Sequence, residues 1–322
     1  MANTTTSASA PPSPATATPF LPEMAAVGVI LVWASTFTIT KSLFNEMSPL
    51  AFGAARFIVI CAIAFLVLIL TARRNGNSGL LQIRRADVPL FIVTGILGYT
   101  GYQLGFILGL EHTSPFAGSL MIATSTPLVS LLIVRILGEP QPGAIWIGAL
   151  LAVLGVTIFL FSGDGGSKLL GNVIAFAGGV SFAIYQVMNR RLVREYHSAT
   201  YSAWSTLIGS IPLILIGTPA MIGQSWGSVS GQSWLAFIYM CILPVYVAYM
   251  VWSWAIRHRG VAVTGFTILV PVIAGVMSWV FYGEEFGMRK ILGGTLAVAG
   301  LVLMQWANHR QSQRAMTATT NH

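Results

Sequence analysis

Charge is what this sequence has least of. Only 8% of its 322 residues are Asp, Glu, Lys or Arg, against about 25% in an ordinary soluble domain. So few charges cannot clothe a water-facing surface, and 55% of the residues are hydrophobic. The chain belongs in lipid. Cysteine is nearly absent. Cys61 and Cys241 both fall within apolar runs, which excludes a disulfide framework and leaves two small buried hydrophobes. Acids are few, nine in all, and none lies near the middle of an apolar run; this gives no proton relay of the usual intramembrane kind. Ligand clusters are missing around His112 and His258, so no metal is expected. HExxH pairs, aspartate-rich clusters and nucleophile motifs are also absent, and no cofactor is expected. The net charge of +8 comes from bases at the ends of apolar runs rather than one basic face, which argues against nucleic acid.

What is present is a series of long apolar stretches. Ten reach spanning length, about 20 residues: 24–43, 49–71, 87–110, 115–137, 143–162, 171–191, 199–218, 233–256, 261–282 and 289–307. None alternates as a barrel strand would, so the fold class expected is an all-α integral membrane protein. Residues 1–22 are rich in Ala, Ser, Thr and Pro without a basic n-region, and read as a disordered tail rather than a signal peptide. Residues 308–322 read as a second loose, polar tail. The loops expected to be longest are Asn75–Ala86 and the uncharged Gly217–Ser233.

Ten spans put both termini on one side. That side collects Arg73, Arg74, Arg84, Arg85, Arg135, Arg190, Arg191, Arg194, Arg257, Arg259, Arg310 and Arg314; the other has Lys41, Lys168, Arg289 and Lys290. Basic loops stay cytoplasmic, so both termini are expected there, in a bacterial-type inner membrane. A reporter fused to either terminus should be active only in its cytoplasmic form; activity of a form that works only outside would contradict this topology.

The chain also repeats itself. GALLAVLGV (Gly148–Val156) in the fifth span returns as GGTLAVAGL (Gly293–Leu301) in the tenth, and VWASTFTITK (Val32–Lys41) lies over SFAIYQVMNR (Ser181–Arg190). The repeats expected are 23–163 and 171–307. Five spans per repeat turn the second copy over in the membrane, the construction common among secondary transporters, with a site near the midplane between halves.

The order of smaller motifs resembles the drug/metabolite transporter superfamily, in its ten-helix EamA-type branch. The likeness rests on Trp33-Ala34-Ser35-Thr36-Phe37, on Pro49 with Arg56-Phe57, and on Leu110-Glu111-His112-Thr113-Ser114-Pro115 leading to Pro127 and Leu137-Gly138-Glu139-Pro140. Pro271, Gly283-Glu284 and the run Gly293 to Gly300 repeat the tail of that pattern. Ala34 stands where the family often has Gly. The resemblance covers residues 24–307. It implies a carrier of small organic metabolites, with export of amino acids or related amphipathic solutes frequent. The residues themselves leave a membrane-embedded enzyme and a non-transporting receptor or scaffold as alternatives.

Mixed aromatic and polar stripes mark candidate cavity positions. Trp33, Thr36 and Phe37 share a face of span one; Tyr99, Tyr102 and Gln103 of span three; Tyr185 and Gln186 of span six; Tyr246 and Tyr249 of span eight. Such a set could wrap a small-molecule substrate, with rings against its apolar part and amides or hydroxyls on its polar ends. Equally, Tyr and Trp anchor helices at the lipid interface, and Ser, Thr and Gln join helices. Arg56, the one ionisable residue well inside a span, has two readings, a contact to a substrate anion and a structural bond to helix carbonyls, and the second is favoured. Pro127 and Pro271 stand inside spans four and nine and are candidate helix hinges, with a static kink as the alternative. The small-residue stripes Gly148/Ala152/Gly155 and Gly293/Ala297/Gly300 either close helices onto each other or support a homodimer.

Overall fold

The computed structural model describes residues 21–139, 141–162 and 169–320. The N-terminal tail up to residue 20, Pro140 and Lys168 lie outside them. The described residues form ten apolar helices of spanning length and no strand: α1 (Leu21–Leu43), α2 (Pro49–Arg74), α3 (Val88 to His112), α4 (Pro115–Ile136), α5 (Gly143–Leu160), α6 (Leu169–Met188), α7 (Ser198–Gly223), α8 (Gly231–Arg259), α9 (Leu269–Tyr282) and α10 (Met288–Thr320). The protein is an all-α integral membrane protein.

Local chemistry sets the ends. Ser48 and Ser114 cap α2 and α4 by accepting from the backbone three residues on, and each is followed by a proline, whose missing N–H costs nothing in a first turn. The two Gly-Glu ends stop α4 and α9 with glycines in the left-handed region, Gly138 at φ 88 and Gly283 at φ 59. Three expected boundaries move. Leu21 and Pro22 belong to α1 rather than a tail. The segment Gly217–Gly223 is helical, so the loop before α8 is shorter than expected. Residues 308–320 continue α10, because Asn308–Thr320 contains no Gly or Pro to stop it; Arg310 lies over the Trp306 ring at 3.9 Å.

The packing order has a pseudo-symmetry. α1 lies against α8 and α9, and α6 lies against α3 and α4; α2 pairs with α7, α5 with α10, and α4 with α9. Exchanging each helix with its counterpart five helices on returns the same set. The α5–α10 contact is backbone against backbone. A Cβ on Gly155 would come within 2.2 Å of Ala297 N, and one on Gly300 within 2.4 Å of Ala152 N. The two small-residue stripes therefore face each other within the chain, and those faces are spent. In lipid, such close approach gains dispersion contact without any hydrophobic drive.

The ends of α2 and α7 are stitched on both faces. On the face away from the termini, Glu46 accepts from Ser230 N at 2.6 Å and Ser230 Oγ at 2.9 Å, while Gln224 bridges Ser48 N and Glu46 O. The Ser230 backbone and side-chain donors hold the Glu46 carboxyl below the usual carboxylate range. On the terminal face, Asp87 accepts from Tyr196 Oη at 2.6 Å, Arg84 Nε at 2.7 Å and Arg191 Nη2 at 3.2 Å. Arg84 also pairs with Glu195.

Among the described residues, one ion pair has both partners buried. Lys290 Nζ lies 2.9 Å from Glu284 Oε1, at 0% and 4% side-chain exposure. Glu284 also accepts from Ser114 Oγ and Ser278 Oγ, so a single carboxylate ties the start of α4, the end of α9 and the start of α10. Lys290 is thus an internal cation, not the surface base its place in the chain suggested. Lys41 donates to the Leu110 and Glu111 carbonyls, closing the end of α3.

Candidate functional site

Two helices break regular α geometry, at matching places in the two halves. α3 has a π turn at Ile96–Gly101 and α8 has one at Leu243–Val247. Such turns loosen the ladder and expose carbonyls. Each is held by the first helix of the other half: Ser181 Oγ of α6 donates to Leu97 O at 2.8 Å, and Trp33 Nε1 of α1 donates to Pro244 O at 3.2 Å. Neither π turn was read from the sequence. Gly98 and Gly101, and a proline at 244 within an apolar run, were the available signals.

Around these turns the aromatic stripes meet. Ring centroids run from Phe57 to Tyr99 (6.3 Å), Tyr99 to Tyr185 (5.9 Å), Tyr185 to Phe182 (5.6 Å), Phe182 to Tyr102 (4.7 Å), Tyr102 to Phe106 (6.3 Å) and Phe106 to Phe37 (5.2 Å). Trp33 lies 5.4 Å from Tyr249 and 5.1 Å from Trp252. Tyr249 is exposed, with 53% of its surface accessible. Tyr99 and Tyr102 are half-buried. Gln103 is 4% exposed, and its Nε2 has no hydrogen-bond partner among the described residues.

Other expected positions go elsewhere. Thr36 Oγ1 donates to Trp33 O of its own helix, and Tyr246 Oη donates to Ile60 O on α2, so both hydroxyls are satisfied within the scaffold. Gln186 is exposed near the terminal end of α6, apart from the ring row. Tyr185 Oη bonds Tyr201 Oη at 2.7 Å, and Asn189 Nδ2 also reaches Tyr201. Tyr201 was not singled out from the sequence, because it lies in an α7 run without a mixed stripe.

The prolines differ in setting. Pro127 sits within α4. The Thr124, Ser125 and Thr126 hydroxyls donate to Leu120 O and Ile122 O, with Thr126 also on Gly179 O of α6, rather than to the Ala123 carbonyl that Pro127 leaves. Pro271 lies in the first turn of α9, after a tighter 3₁₀ stretch Gly260–Ile268, so it interrupts no long α-helix. The expectation of two matched mid-helix kinks therefore changes. Pro244 does more to α8: it cannot donate to Met240 O, and Arg56 Nε supplies the missing bond at 3.1 Å.

Two clefts open sideways between helices. One, of 440 Å³, is lined by Ala55, Met221, Trp226, Trp234 and Phe237; the other, of 520 Å³, by Phe116, Val272, Gly275, Trp279, Phe286 and Gly294. Neither contains an expected site residue. Their walls are mostly apolar, with Lys290 and Thr295 the polar members of the second.

The model of the EamA-like transporter family matches residues 21–161 and again residues 169–306. The chain belongs to that family. Its two matched stretches are the two five-helix halves seen in the packing, and it is a membrane transporter, not an enzyme. It is 27% identical over 282 residues to the uncharacterized transporter YyaM of Bacillus subtilis (strain 168), covering 86% of this chain and 90% of that one. It is 25% identical over 300 residues to a probable terminal-alkyne amino-acid exporter of Streptantibioticus cattleyicolor, covering 92% and 96%. It is also 25% identical over 289 residues to a probable amino-acid metabolite efflux pump of Escherichia coli (strain K12), covering 85% and 91%. One crystal structure, at 22% sequence identity, superposes with a TM-score of 0.58 over 89% of this chain and 98% of its own, and shares the fold.

Proposed function

We propose that this EamA-like transporter exports amino acids or related amphipathic solutes from the cytoplasm across the inner membrane, with both termini cytoplasmic. The observation that carries the reading is the row of aromatic rings that α1, α3 and α6 bring together, with Trp33 of α1 set against Tyr249 of α8. Tyr99, Tyr102 and Tyr249 offer ring faces for an apolar side chain, and their hydroxyls and Gln103 offer hydrogen bonds for polar ends. The amino-acid exporters among its relatives favour the same solute class. The excess of arginine on the terminal face supports the orientation.

Alternating access would move α1, α8 and α9 against α3, α4 and α6 between two fixed posts, the α2–α7 and α5–α10 pairs. Pro127, with one backbone bond missing in mid-helix, is the hinge best placed to bend; Pro271 would act where 3₁₀ passes to α.

Counterflow of labelled amino acids in proteoliposomes tests this. Tyr102→Ala and Gln103→Ala should insert normally and lose about tenfold or more of flux, the size of one or two lost hydrogen bonds or ring contacts. Pro127→Ala should insert normally and slow exchange. If Tyr102→Ala and Gln103→Ala both transport like the unaltered protein, the site is elsewhere.

A further inference from the structure

We infer that Arg56 anchors a carboxylate of the transported solute, so that the cavity selects monoanionic or zwitterionic acids over their amides. The inference rests on the transport cavity proposed above.

Arg56 is 7% exposed within the bundle. Its Nε is engaged by the Met240 carbonyl that Pro244 leaves without a donor. The guanidinium also lies over the Phe52 ring, 5.9 Å from its centroid. Among the described residues its two Nη groups have neither a hydrogen-bond acceptor nor a carboxylate, and they are not sealed from accessible space. A guanidinium carries five donors in a planar fork; here one is fixed by the scaffold and the outer pair is left over. The buried carboxylates cannot serve it. Glu284 is matched with Lys290, and Asp87 with Arg84 and Arg191.

A second donor without an acceptor lies on the neighbouring helix α3. α2 and α3 run antiparallel, with Gly53 against Ile107 and Phe57 against Tyr99. Arg56 and Gln103 each fall between those two contacts along their own helices. Gln103 Nε2 has no hydrogen-bond partner among the described residues. A buried charge without a counter-ion costs several kcal/mol. A ligand with acceptors only, held on the outer edge of the fork, relieves that cost, and a carboxylate has the matching geometry. The other described bases lie at helix ends or in loops, so the site neutralises one negative charge rather than a polyphosphate. Fixing Nε on α8 while the Nη pair holds the solute would also make solute binding sensitive to the α2–α8 contact.

The test uses the full-length protein in detergent and its unfolding temperature in the presence of each L-amino acid, benzoate and phenylacetate, each beside its matched amide, and of inorganic phosphate. Several acids should stabilise, and their amides should need at least about tenfold higher concentration for the same shift. Arg56→Met would remove both roles of the residue, so Pro244→Ala is combined with it. Alanine returns an N–H to Met240 O, and the double variant should unfold near the unaltered protein while losing all preference for acids. Pro244→Ala alone should keep that preference. Equal binding of acids and amides, retention of acid preference in the double variant, or stronger stabilisation by phosphate than by any carboxylate would each overturn the inference. Flux of a solute without such preference would leave the transport cavity standing and remove only the anchor; no binding and no flux in the whole series would remove both.

Discussion

Gly155→Leu is expected to lower the unfolding temperature of the detergent-purified protein by about 10 °C or more, or to prevent recovery of a single monodisperse species. Leucine's Cβ alone would sit 2.2 Å from Ala297 N and 2.7 Å from Gly293 O. Those are backbone atoms, so no rotamer change relieves the clash; α5 and α10 must part. Overpacking that side chains can absorb costs about 1–3 kcal/mol, and a separated helix pair loses its dispersion contacts as well. For a chain of this size each kcal/mol moves the midpoint by about 2–4 °C. Gly143→Leu is the control. It lies on the same helix, and a Cβ there meets nothing within 4 Å, so its unfolding temperature should stay within a degree or two. Equal behaviour of the two variants would show that α5 and α10 do not pack as described.

The second large effect concerns the buried ion pair. Glu284→Gln should destabilise by about 3–5 kcal/mol, because it leaves the Lys290 ammonium in a fully buried site without its carboxylate. Ser114 and Ser278 would face an amide in place of a charged acceptor. Lys290→Met should cost less, since those two hydroxyls still serve the carboxylate. The double variant Glu284→Gln/Lys290→Met should be more stable than Glu284→Gln alone, since removing both charges removes the unpaired one. A cycle measured by thermal unfolding checks this. Additive losses would mean that the two groups are not coupled.

Much of this architecture is written in the composition and the spacing. Ten apolar runs gave ten helices, because lipid permits no other continuous backbone solution at that length. The stripes at Gly148 and Gly293 were visible as small residues. What could not be read was which face turns to which neighbour. Gln186 sits in a stripe as good as that of Gln103, yet one is exposed and the other buried; hydropathy places a residue along the membrane normal, not around the helix. Lys290 looks like any base at a helix end until Glu284 folds back across Gly283 to meet it. Pro244 stands in an apolar run just as Pro127 and Pro271 do, yet its consequence lies on another helix, at Arg56. A lone proline reports a missing donor, but only the packed structure names the group that replaces it.

The α5–α10 contact also sets a schedule for biosynthesis. The closest backbone approach joins the last helix of each half, and Gly155 and Ala297 are far apart along the chain. At about 5–20 residues per second, α5 waits roughly 7–30 s after its own synthesis before its partner exists. Through that interval its glycine face is open to lipid and to any other helix nearby. The molecule can close only when its final span has been made, and a chain cut short before α10 would carry that open face for the rest of its life.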